Sequence, residues 1–181
     1  MAKRGLPAAL LLAFLVEGCA GPTLRSEQGA RVAAQEEPTD SDLQADSNFT
    51  GKLVNGKKEG FGKYVDPEGG VYEGNWHNDM KEGTGTYISP DGSVYVGGWH
   101  RDKKHGKGAL QTPDGSKYVG GWAEDMKEGY GILTTPDGWR YEGMWHRDKK
   151  HGKGVLIAPD GTRTEGYWSE GKYVGESPPG K

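Results

Sequence analysis

Cysteine is almost missing from this chain: Cys19 is the single one in 181 residues. That excludes an intrachain disulfide framework. Large apolar side chains are also scarce. Only 33% of residues are hydrophobic and three are Phe, too few for one thick core. A charge excess is lacking as well, because residues 49–175 hold 18 Lys/Arg against 18 Asp/Glu. A balanced array of this kind is poorly suited to counterion-release binding of nucleic acid. The apolar run Leu6–Val16 has eleven residues, too short to span a bilayer as a helix.

What the chain does have is order in its glycine and aromatic residues. It contains 32 Gly, nine Tyr and six Trp, against an average Gly content near 7%. Tyr72, Tyr95, Tyr118 and Tyr141 stand 23 residues apart, each followed two places later by Gly74, Gly97, Gly120 or Gly143. Trp76, Trp99, Trp122, Trp145 and Trp168 keep the same step. An unbroken period of this length marks one small unit stacked on copies of itself.

The unit Tyr95–Lys117 (YVGGWHRDKKHGKGALQTPDGSK) shows how each copy is built. Tyr95, Gly97 and Trp99 alternate with other residues and share one face of a strand. His100–His105 is polar and reads as an exposed hairpin turn. Gly106, Gly108 and Leu110 alternate again on a second strand, and Thr112-Pro113-Asp114-Gly115 closes the unit. There Pro presets φ, Asp bonds the backbone ahead and Gly takes the left-handed position. Two glycines in three strand residues need a reason. The expectation is that missing side chains let Tyr and Trp rings lie flat on both, in contact with rings of neighbouring units.

Y-x-G-x-W with a later G-x-G and a P-D-G turn, on this period, resembles the MORN repeat (membrane occupation and recognition nexus). The resemblance covers units 49–71, 72–94, 95–117, 118–140 and 141–163, with a partial unit 164–175 and a tail 176–181. Phe49 and Leu53 stand for Tyr and Trp in the first unit, and Thr164 for Tyr in the last. The resemblance implies an all-β fold: an elongated, single-layer antiparallel sheet of consecutive β-hairpins forming a solenoid. At about 4.8 Å per strand it would reach roughly 50 Å. Its exposed ends need blunting, a role expected of Lys172–Lys181 with Pro178-Pro179.

Residues 1–18 read as a signal peptide: Lys3 and Arg4 precede the apolar run, which ends in Val16-Glu17-Gly18-Cys19. This ending resembles the lipobox of bacterial lipoproteins, which implies acylation of Cys19. Several acyl chains at about 0.8 kcal/mol per buried methylene would hold the chain stably on a membrane. Ala20 rather than Asp after the cysteine points, by that resemblance, to the outer membrane. Secretion after ordinary cleavage, with Cys19 incidental, is the alternative. Residues 19–48, with six acids against Arg25 and Arg31 in 20–48, read as a disordered acidic tether.

A second period lies inside the first. Trp99–Gly108 (WHRDKKHGKG) recurs unchanged at Trp145–Gly154, and Asp79-Met80-Lys81-Glu82-Gly83 recurs at Asp125–Gly129. The turns thus alternate between mixed and basic tips. They form either a periodic interaction surface or merely solvated turns of a duplicated block. The candidate interaction residues are Lys103, Lys104, His105, Lys149, Lys150 and His151, with Trp139, which stands where other units carry Ser, Thr or Gly. The lysines are also candidates for anionic headgroups at about 1 kcal/mol per charge.

His100, His105, His146 and His151 invite a metal reading, but two histidines and one Asp per turn fall short of the usual ligand set. No catalytic constellation is found: Ser93, Ser116 and Ser169 lack nucleophile-elbow context, and Gly106-Lys107-Gly108 precedes no phosphate-binding helix. The expectation is a non-enzymatic, envelope-anchored scaffold without cofactor or metal. It would mediate protein–protein contact, self-association or spacing. The alternative is a module for cell-wall glycan, choline or phospholipid, in which aromatic rings stack on ligand. Ring exposure discriminates the two.

Overall fold

The computed structural model describes residues 44–45 and 48–178. The segment read as a signal peptide, Cys19, residues 20–43 and 46–47 of the segment read as a tether, and residues 179–181 lie outside the described residues. Among those that are described there is no helix. Thirteen strands form one sheet in which every strand pairs antiparallel with its neighbour in sequence. They are β1 (Gln44–Ala45), β2 (Phe49–Val54), β3 (Lys57–Val65), β4 (Val71–His77), β5 (Met80–Ile88), β6 (Val94–His100), β7 (Lys103–Gln111), β8 (Lys117–Ala123), β9 (Met126–Thr134), β10 (Arg140–His146), β11 (Lys149–Ile157), β12 (Arg163–Ser169) and β13 (Lys172–Gly175). The all-β hairpin solenoid read from the repeat is what the chain forms. The sheet begins with β1, inside the segment read as tether.

Two turn types fix the register and line the two long margins of the sheet. Within a unit the turn is far tighter than the expected His100–His105 loop. Arg101 and Asp102 alone make it, at φ 48° and 68°, so that His100 faces Lys103 across the hairpin. Paired positive φ values match the right-handed twist of the flanking strands. Between units Thr112–Ser116 turns back as expected. Gly115 N–H donates to Thr112 O at 2.9 Å, and Asp114 Oδ1 accepts from Ser116 N–H at 3.1 Å.

The core is a file of rings on one face. Phe49, the four repeat tyrosines and the five repeat tryptophans are its buried members, with no buried polar or charged residue beside them. From Trp76 to Trp168, Tyr and Trp alternate edge-to-face at centroid distances of 5.0–5.4 Å. Each such pair contributes about 0.5–1.5 kcal/mol beyond its buried area. The tyrosine hydroxyls reach backbone three residues on, as Tyr95 Oη does to Gly98 O at 2.9 Å. The indoles reach back fourteen residues: Trp99 Nε1 donates to Gly85 O at 3.2 Å. The polar end of each ring from Tyr72 to Trp145 is therefore satisfied inside the sheet. Trp168 Nε1, in the last unit, has no partner.

The paired glycines have two separate reasons, which corrects the expectation that rings cover both. A Cβ at Gly108 would lie 2.6 Å from Tyr95 Cε2, so the ring does rest on that backbone, and Gly97 lies opposite it. Gly106 meets no ring; nothing lies within 4 Å of where its Cβ would be. It holds φ +72° beside a register shift between Gly97 and Trp99. That is a bulge, where the left-handed region favours glycine.

The end units close the file with substitute rings. Phe49 takes the tyrosine's place over Gly51 and Gly62 and meets Trp76 at 5.7 Å. At the other end Lys172–Gly175 is paired as β13, and residues 179–181 of the segment expected to blunt the edge lie outside the described residues. Tyr173 caps Trp168 at 5.5 Å, in a unit that lacks its tyrosine at Thr164.

Candidate functional site

The sheet has two unlike faces. On the ring face each unit adds one lysine, and Lys58, Lys81, Lys104, Lys127 and Lys150 lie with their ammoniums 4.5–6.0 Å from Tyr, Trp or Phe ring centres. These contacts are cation–π lids over the core. Burial pulls the pKa values of Lys81 and Lys150 below the ordinary lysine value.

The candidate basic tips are thereby taken apart. Lys104 and Lys150 sit on the ring face. Lys103 and Lys149, one residue earlier, project to the other side, where Lys103 Nζ meets Glu124 at 2.5 Å and Lys149 pairs with Glu170. Strand alternation separates neighbours that look like one patch in sequence. The four lysines form no common cationic surface.

The histidines lie in a line along one margin. His100 Nδ1 is 2.9 Å from Glu82 Oε1, and the His100 and His105 rings are 5.6 Å apart. His146, Glu128 and His151 repeat this at 3.1 and 5.7 Å. The second oxygens of Glu82 and Glu128 accept from the amides of Arg101 and Arg147 at the next turn. The His100 hydrogen bond, then the Arg101 amide, holds Glu82 below the usual carboxylate value. Among the described residues no group of three or more His, Cys, Asp or Glu gathers as a metal site. These side chains tie one hairpin to the next.

Trp139 is 40% exposed at the margin formed by the Pro-Asp-Gly turns, and its carbonyl closes its turn by accepting from Thr135 N–H at 2.9 Å. The twelve repeat residues Tyr72, Gly74, Trp76, Tyr95, Gly97, Trp99, Tyr118, Gly120, Trp122, Tyr141, Gly143 and Trp145 belong to the core and its glycine bed.

Among the described residues nothing covers the face opposite the rings. In its middle, Val96, Ala109, Val119 and Ile132 stand side by side on β6–β9 through direct cross-strand pairs. Tyr130 (51% exposed) and Met144 extend this apolar stripe and pair with each other across β9 and β10. A cavity of about 400 Å³ opens here, lined by Lys107, Gly108, Val119, Gly120, Tyr130 and Ile132. Gly98 and Gly121 leave its surroundings low, where the corresponding residues of other units are Asn75, Met144 and Tyr167. Sequence reading missed this site. Its signal was present in the residues alternating with the Tyr-Gly-Trp set, which turn apolar in the central units.

A chain of consecutive hairpins with a buried Tyr–Trp file on a glycine bed defines a class of open repeat scaffolds. The family model for the MORN repeat matches five successive units, residues 49–71, 72–94, 95–117, 118–140 and 141–163, and the chain belongs to the MORN-repeat family. No curated protein matches it. A similar solved structure is the SAS-4 (dCPAP) TCP domain of Drosophila melanogaster, in complex with a proline-rich motif of Ana2 (dSTIL). It is 16% identical, with a TM-score of 0.39, over 81% of this chain and 98% of that one.

Proposed function

We propose that the array is a non-enzymatic scaffold that holds a protein partner on its open face and is anchored to the cell envelope through acylated Cys19. One observation carries the reading: the sheet packs its repeat tyrosines and tryptophans on one face and, among the described residues, leaves a central apolar stripe uncovered on the other. Uncovered apolar surface with a polar surround is the usual mark of an interaction site. A repeat architecture suits the role because its rigidity comes from neighbour-to-neighbour contacts and leaves one surface free. In vivo crosslinking of envelopes tests this. A partner captured by the native chain and lost with Val119→Asp supports the scaffold; the same capture by both chains removes the open face from the function. For the anchor, Cys19→Ser is expected to end incorporation of labelled palmitate and release the chain from the membrane fraction. Unchanged labelling would sink that part alone.

The ligand-stacking alternative loses its main support, because the repeat tyrosines and tryptophans are 1–6% exposed. It keeps the rings exposed outside the repeat set, of which Trp139 is the tryptophan. Titration with peptidoglycan fragments or choline should leave tryptophan fluorescence unchanged under the scaffold reading. A saturable shift abolished by Trp139→Ala would favour the alternative.

A further inference from the structure

The open face of β6–β9 carries unpaired charge of one sign only. Its charged side chains are Lys103, Lys107, Lys117 and Glu128. Two of the four are already satisfied: Lys103 by Glu124, and Glu128 by His146 and the Arg147 amide. Lys107 and Lys117 are exposed and have no ion-pair partner among the described residues. They flank the apolar stripe from opposite sides. Lys107 lies beside the cavity shared with Tyr130, and Lys117 faces Gln111, four residues further along β7. At about 3.3 Å per residue that separation is about 13 Å along the strand, or four residues of an extended chain.

We infer that this patch takes an extended acidic segment of a partner protein, which places one large apolar side chain in the Lys107–Tyr130 cavity and carboxylates on Lys107 and Lys117. The inference rests on reading the open face as the interaction surface and adds the chemistry of the occupant. Charge complementarity argues for the acids, since an unpaired cation on a partly apolar surface gains most from an anion brought to it. Shape argues for a single narrow chain. Both long margins of the sheet carry aspartates: Asp79, Asp102, Asp125 and Asp148 on one, Asp91, Asp114, Asp137 and Asp160 on the other. A broad anionic surface such as a lipid bilayer would meet those rows first. A lone strand lying between them would not.

Selection of a random-peptide phage library against the full chain tests this. The enriched peptides should carry two acids about four residues apart, bracketing an aromatic or large aliphatic residue. A synthetic consensus peptide should bind about tenfold more weakly to Tyr130→Ser and to the K107E/K117E double variant. Selection against K107E/K117E should return basic peptides. All three side chains are exposed, so an unchanged melting temperature separates lost binding from lost fold. No enrichment, or binding indifferent to K107E/K117E, overturns the inference. Enriched peptides that are not acidic but are lost with Val119→Asp overturn the acidic partner while leaving the open face standing. Peptides indifferent to Val119→Asp remove both. Two further results overturn it: self-association abolished by Tyr130→Ser, which makes a second copy the occupant, and capture by phosphatidylserine vesicles through the same residues.

Discussion

Gly106 and Gly108 look alike in the sequence and do different things. The first turns the backbone through a bulge; the second makes room for a ring. Substitutions separate these roles. Gly106→Asn should be nearly neutral, because Asn tolerates the left-handed region, and open space surrounds the site. Gly108→Asn or Gly108→Val should cost about 1–3 kcal/mol or more, as overpacking against Tyr95 does. Thermal melting of the variants is the check, and equal effects would refute the division. Trp139→Ala, at a 40% exposed position, should change stability by no more than about 0.5 kcal/mol. The period alone exposed the glycine pairs. It could not show their division, because a spacing of two residues says which face a position takes and nothing about a local register shift.

Among elements, the hairpin turn carries more than its own geometry. Asp102 sits at φ 68°, accepts Lys81 N–H on Oδ1 at 2.8 Å and returns its own N–H to Lys81 O at 3.1 Å. Asp79, Asp125 and Asp148 repeat the carboxylate contact with Lys58, Lys104 and Lys127. Each tip therefore clasps the preceding hairpin, a linkage that the 23-residue spacing of these aspartates encodes. Asp102→Gly keeps the turn and the backbone half of the clasp and deletes the carboxylate half, so its expected cost is about 0.5–1.5 kcal/mol. Asp102→Ala leaves a Cβ in the left-handed region without the polar side chain that tolerates it there, and should cost about 1–2 kcal/mol more than the glycine variant. Urea midpoints of the two variants measure the difference. The same element shows why the basic tip was misread. Placing a turn over six residues hides the alternation that sends Lys103 and Lys104 to opposite faces, since a shift of one residue exchanges the faces.

At the scale of the molecule the ring file is continuous, so its ends and its protonation affect every unit. Phe49 closes the file at one end and is fully buried. Phe49→Ala should cost about 3–5 kcal/mol locally, detected as early hydrogen exchange in β2–β4 with later strands still protected. Alkaline pH acts on all units together. Burial pushes Tyr141 up to about 12 from an ordinary 10.0, raises Tyr87 to about 12 with help from Asp66, and raises Tyr72, Tyr95 and Tyr118 further. A phenol with a raised pKa in the fold favours the folded state fully below pH 10 and less as pH climbs toward 12. Base-induced unfolding should therefore begin above pH 10 and coincide with the part of the tyrosinate absorbance that Tyr→Phe replacement at Tyr72, Tyr95, Tyr118 and Tyr141 removes. That part appearing before unfolding would contradict the buried file.

The sequence by itself determined the unit, its two strands, the Pro-Asp-Gly turn and the stacking direction, because a strict 23-residue period admits one way of burying Tyr and Trp repeatedly. It also showed Trp139 as an exception, since a broken period is visible without coordinates. Only the tertiary structure decided which lysines share a face, which glycine carries a ring and how Tyr173 closes a unit that lacks its own tyrosine. Those outcomes depend on a two-residue turn and on a bulge that shifts register by two residues. The open face belongs to this second group: Val96, Val119 and Ile132 lie far apart in the chain, and cross-strand pairing alone makes them one surface.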